Sequence, residues 1–160
     1  MISCKIETVT FDDVSHMGVV LLTEKDGRRV LPVWVGLFEA QAILFRLQNS
    51  YFPRPLTHDL LKNCIERLNG QVEYILINRI ENNTFYAQIH IKHNNNKIVI
   101  DSRPSDAIAL AVRVETPIYV EEKLFETNGV DKEEFLKEQR EKLYKLYLEA
   151  TEEDEEKTKH

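Results

Sequence analysis

Apolar and polar positions along the chain change period several times, and each change marks an element. Residues 3–11 alternate loosely, 17–24 ("MGVVLLTE") form an apolar run, and "KDG" at 25–27 is a turn signal leading into "RRVLPVWVG". The spacing predicts three strands. In the third, Leu31, Val33 and Val35 share one face while Pro32 and Trp34 share the other, so both faces need cover. Pro32 has no N–H for a ladder, which points to an edge strand or a bulge. An apolar edge of this kind is a hint of a homo-oligomer, a dimer first, although burial within one subunit explains it equally well.

Residues 37–48 ("LFEAQAILFRLQ") read as a helix apolar almost all round, and hence buried. Residues 57–69 read as an amphipathic helix with Thr57 as N-cap and a stripe of Leu60, Leu61, Cys64, Ile65 and Leu68. Strands follow at 71–80, 84–93 and 97–101, joined by "ENN" and "NNN" turns, then a helix after Pro104 and a short strand at 117–120. A connection runs to about Gly129, and a last helix is expected over 131–148. At an offset of 67 residues "GLFEAQAIL" lies over "RPSDAIALA", with Glu39 on Asp106. Matches this short also arise by chance, but the order of elements suggests a duplicated β-β-β-α unit. The fold class expected is α+β, mostly antiparallel sheet with packed helices and a C-terminal helix.

With 160 residues the body fits one domain, taken as 1–128, followed by a helix and an acidic, flexible tail over 129–160. Charge supports that division. Residues 131–160 hold 11 acids and 7 bases, against 16 and 14 in the remainder, so the net charge of −6 belongs mostly to the tail. A nearly neutral body has no broad basic field for tight non-specific nucleic-acid binding, yet it leaves room for a local basic cleft. No run approaches the length of a membrane span, and the N-terminus has no signal-peptide pattern; a cytoplasmic protein is expected. Cys4 and Cys64 read as buried thiols.

Candidate chemistry sits in two clusters, "FPRPLTHDLL" (52–61) and "IDSRPSDAIALAVR" (100–113). Helix starts explain part of each: Pro104 is pre-set for a first helical position, and Asp59 and Asp106 suit a first turn. Arg54, His58, Asp101 and Arg103 have no such job. They are either internal salt bridges or parts of a cleft, in which Arg54 and Arg103 hold phosphate, His58 is acid or base, and carboxylates bind a metal or activate water. No P-loop, dinucleotide turn, nucleophile elbow or HExxH is present. His90 and His93, three apart on a strand, face opposite ways.

Those two clusters, with "LPVWVGLFEAQAI" and "NNTFYAQIHI", resemble the bifunctional nuclease domain family over roughly residues 3–125. The resemblance implies an α+β fold and, from the plant member that gave the family its name, nuclease action on RNA and DNA. Some members also carry a C-terminal UVR-type helical module, from which residues 131–160 depart. By block, the positions that carry over are Glu39, then Arg54, His58 and Asp59, then Asp101, Arg103 and Asp106.

Two functions are therefore expected. One is a nuclease with His58, Asp59, Asp106 and Glu39 catalytic, Arg54 and Arg103 on RNA or single-stranded DNA, and Asp101 and Asp106 on Mg2+ or Mn2+. The other is a non-enzymatic homo-oligomeric module binding a protein partner or a small anionic ligand. A nuclease needs carboxylates open to one cleft, whereas a scaffold would lock them in arginine pairs.

Overall fold

A computed structural model describes residues 1–159. Its first half is a meander, β1 (Ile2–Asp12), β2 (Met17–Glu24) and β3 (Arg29–Val35), followed by α1 (Leu37–Leu47) and α2 (Thr57–Arg67). A second meander, β4 (Gly70–Glu81), β5 (Thr84–His93) and β6 (Asn96–Ser102), leads into α3 (Pro104–Val114). Then come β7 (Ile118–Val120), α4 (Glu122–Asn128), β8 (Val130–Asp131) and α5 (Lys132–Thr158). One eight-stranded sheet has the order β6-β5-β4-β7-β1-β2-β3-β8. Every pairing is antiparallel except β4 with β7. The two meanders thus stand back to back in mirrored order around β7, and each feeds a helix that packs on the other. The β-β-β-α order expected from the sequence thus occurs twice.

The tight hairpins follow from asparagine. Asn82 and Asn83, then Asn94 and Asn95, all have positive φ, the backbone a two-residue hairpin requires. The main core lies on the helix face: Val20, Leu22, Leu31 and Val33 from the first meander, Ile75, Ile77 and Ile89 from the second, and Ile108 and Leu110 from α3. A smaller core on the opposite face joins Val19, Leu21 and Val30 to Phe135 and Leu136 of α5. β2 is therefore covered on both faces, which explains its unbroken apolar run. Gly18 in β2 marks the closest approach of α1, where an added Cβ would collide with that of Ala40. β8 pairs with β3 only at Arg29 and Val30, so Pro32 lies on the stretch of β3 that has no outer partner. Its missing N–H costs nothing there.

Several expectations are corrected. α1 buries only Ala40 and Ile43, while Leu37, Phe38 and Leu47 are exposed. On α2 the stripe divides: Leu61 and Ile65 pack on the core, but Leu60, Cys64 and Leu68 face solvent. Cys4 is half-buried, and burial pushes its thiol up to about 12. The N-cap of α2 is Leu56, with Thr57 the first helical residue. α4 fills what had read as a connection; at seven residues it is too short to show a period. α5 runs past 148 to Thr158, since 149–158 contains no glycine or proline and is rich in good helix formers. It is tied to the sheet near its start by Phe135, Leu136 and a Lys132–Glu7 ion pair.

Candidate active site

An arginine stands at each end of α3, Arg103 just before it and Arg113 in its last turn, and each organises a cluster. At the start, Arg103 is the N-cap and Pro104 the first helical residue. The preference of a residue before proline for extended backbone gives Arg103 φ −66° and ψ 144°. That bend returns its side chain over the first turn, where Nε donates to Asp106 Oδ2 at 2.7 Å and a second nitrogen donates to Glu39 Oε1 at 3.2 Å. Asp106 Oδ1 lies 2.9 Å from Nε2 of His58, in the first turn of α2. The first turns of α1, α2 and α3 therefore meet through four side chains.

Burial by itself pushes the Asp106 carboxyl up, but hydrogen bonds from Arg103 and His58 outweigh it and hold it below the usual carboxylate range. An ionised Asp106 can only accept, so His58 Nε2 carries the proton of that bond and the neutral ring keeps its lone pair on Nδ1. The Arg103 guanidinium is raised in turn, chiefly by its bond to Asp106. Its side chain is 65% exposed, and two of its five N–H groups are spent on carboxylates. Glu39, His58, Arg103 and Asp106 all line one open cleft of about 580 Å3, with Phe38 at its lip.

The second cluster is at the other end of α3. Arg113, with a side chain only 3% exposed, donates Nε to Asp59 Oδ1 at 2.8 Å. Its remaining nitrogens reach the carbonyls of Ala109 at 2.8 Å and Ala42 at 2.9 Å. Asp59 Oδ2 accepts from the Leu56 N–H at 2.9 Å, half of a capping box. Burial raises the Asp59 carboxyl, but these bonds prevail and hold it low. Arg113 had no assigned role in the sequence reading. The available signal was a single charge closing the otherwise apolar "AIALAVR".

The expected carboxylate set is thus separated. Asp106 faces the first cleft and Asp59 lines a neighbouring one of about 550 Å3. Asp101 stays exposed on β6 opposite Gln88, outside both linings. Among the described residues no group of three or more His, Cys, Asp or Glu is placed to hold an ion, and both oxygens of Asp106 are already engaged. The donor set does not fit a resident Mg2+ or Mn2+. Arg54 lines the second cleft with Tyr51 and Lys62, and takes part in no ion pair among the described residues. Pro55 lines both clefts, so they adjoin.

Comparison with known proteins agrees with the resemblance that the motifs carry. The model of the bifunctional nuclease domain matches residues 20–133. The chain belongs to the bifunctional nuclease domain family. Within it, an uncharacterised protein of Mycobacterium tuberculosis is 37% identical over 126 residues, 79% of this chain and 75% of that protein. Bifunctional nuclease 1 of Oryza sativa subsp. japonica is 29% identical over 122 residues, and bifunctional nuclease 1 of Arabidopsis thaliana 25% over 122. Those alignments cover 74% of this chain but only 37% and 38% of the plant proteins. The family match includes every residue of both arginine clusters, while most of α5 lies beyond it. No helix is long and apolar enough to cross a membrane among the described residues.

Proposed function

We propose that this bifunctional nuclease domain hydrolyses phosphodiester bonds of RNA or single-stranded DNA in the cleft lined by Glu39, His58, Arg103 and Asp106. The observation that carries the reading is the His58–Asp106 pair at 2.9 Å beside an exposed arginine with unspent donors. The name borne by the plant relatives agrees with it.

Hydrolysis adds one water across a P–O bond. The water oxygen bonds to phosphorus, the bridging oxygen leaves, and the proton lost by the water must finally reach the leaving oxygen. Asp106 holds the His58 ring in place through Nε2, so that Nδ1 accepts the water proton and the imidazole carries it. The free N–H groups of Arg103 meet the non-bridging oxygens, where charge builds in the transition state. Glu39 touches Arg103 and fixes the guanidinium plane; its role is positioning. Arg54, with Tyr51 and Lys62 in the adjoining cleft, meets the neighbouring phosphate and base of the strand. Asp59 belongs to the Arg113 cluster and has a structural role in this scheme.

One observation favours the module that binds a small anion without cleaving it: both carboxylates at the cleft are paired with Arg103. Cleavage of end-labelled single-stranded RNA and DNA by purified protein separates the readings, run with Mg2+, with Mn2+ and with EDTA beside Asp106→Ala. Cleavage by the wild type that survives EDTA and is lost in the folded variant supports the scheme. Cleavage abolished by EDTA would require an ion bound together with substrate. Saturable oligonucleotide binding with no cleavage under any condition would establish the module instead.

A further inference from the structure

β6 is one edge of the sheet, with β5 its one strand neighbour among the described residues. Its centre is unusually apolar for an edge left to solvent: Ile98 is 41% exposed, Val99 51% and Ile100 44%. Three consecutive β-branched aliphatic residues beside unpaired N–H and C=O groups are the pattern from which proteins normally shield an edge. The charges flanking this run are also unmatched. Lys97 stands directly opposite Lys92 on β5, a like-charge cross-strand pair, and Asp101 stands opposite Gln88. None of these takes part in an ion pair among the described residues.

Read about Val99, the segment Lys97-Ile98-Val99-Ile100-Asp101 is complementary to itself. We propose that β6 is the contact between two copies of this chain, paired antiparallel about a two-fold axis at Val99. In that register Lys97 of each copy faces Asp101 of the second, Ile98 faces Ile100, and Val99 faces Val99. Ile98 and Ile100 lie on the same face as the buried Ile89 and Ile91, so four isoleucines continue the core across the joint. Val99 and the two Lys–Asp pairs occupy the opposite face, where each aspartate offsets the Lys92–Lys97 repulsion. A slip of one residue would set Lys97 against Ile100 and turn the charges to the core face. A parallel pairing would bring like charges together. Only the two-fold antiparallel register satisfies both faces, and the two sheets become one.

The test is the oligomeric state by light scattering and sedimentation, for wild type, Lys97→Asp, Asp101→Lys, the double exchange, and an equimolar mixture of the two single variants. The wild type is expected to be a dimer. Each single exchange sets like charges opposite at both ends of the joint and weakens dimerisation by about tenfold or more. The double exchange restores it. The mixture re-forms a dimer from one copy of each variant, because one presents two aspartates and the other two lysines; this also shows that both fold. As a direct probe, Val99→Cys on a Cys64→Ser background joins two copies under mild oxidation, since residues facing across an antiparallel pair have Cα atoms about 4.5–5.5 Å apart. A monomeric wild type, variants that dimerise as well as wild type, or single variants that stay apart when mixed would each overturn the proposal.

Discussion

α3 carries an arginine at each end, and the contrast between the two shows how one residue type is put to opposite uses. Arg113 is buried, with Nε and both terminal nitrogens bonded to Asp59 and to carbonyls of α1 and α3. Arg103 shares two carboxylates but stands mostly in water at an open cleft, with donors left over. Both sit at the positions where an N-terminal and a C-terminal residue of a buried helix need partners. What distinguishes them is the count of unspent N–H groups and access to solvent. A buried arginine with its nitrogens engaged holds α1, α2 and α3 together; an exposed one with free donors can receive an anion.

The largest expected effect falls on the Arg103 side. His58→Asn should lower cleavage by about 10^2–10^4-fold, the usual contribution of a positioned acid–base group, a loss far greater than the accompanying fall in melting temperature accounts for. Next comes a crossed comparison. Arg103→Lys, which keeps the charge but loses the planar fork, should reduce kcat by roughly 10^2-fold at nearly constant stability. Arg113→Met should do the reverse. Removing the buried arginine from its half-exposed carboxylate and two buried carbonyls costs about 3 kcal/mol, or roughly 6–12 °C in Tm at this chain length, while the rate per folded molecule holds. Calorimetry and initial rates on the same preparations check both, and a large activity loss in folded Arg113→Met would erase the contrast.

Acid stability sharpens the comparison further. Asp59 and Asp106 are both held below their ordinary range, so the stability they supply is present above the unfolded carboxylate pKa of about 3.9 and is lost as pH falls through their lower folded values. Urea midpoints between pH 2 and 7 should therefore fall on the acid side. Removing Arg113 should make that fall shallower by the part of Asp59's share that the arginine supplies, the Leu56 N–H bond remaining. The smallest effect belongs to Arg54→Ala. A phosphate contact outside the reacting centre should raise KM several-fold, leave kcat unchanged and reduce the slope of log affinity against log salt by about one.

Much of this was legible in the sequence because it is local. Turn asparagines, strand alternation and the Arg-Pro punctuation before a helix place nearly every element, and the offset of 67 residues tied Glu39 to Asp106 before any contact was visible. Which clusters meet was not legible. His58 and Asp106 are 48 positions apart, and nothing in their spacing distinguishes the Asp106 partner from Asp59 beside His58 itself. Periodicity states which residues share a face, not whether a neighbour covers it; Leu61 and Leu60 on α2 received opposite fates for that reason. Arg113 was missed because a charge ending an apolar helix looks like a dipole partner until the carbonyls around it are known.

The most direct test of the central claim is the rate of single-stranded RNA cleavage per folded molecule for Arg103→Lys and Arg113→Met, measured side by side at matched folded fraction. A loss of about 10^2-fold confined to Arg103→Lys is the expected result. Equal rates in the two variants, whether both intact or both lost, would contradict the assignment of one arginine to the substrate and the other to the scaffold.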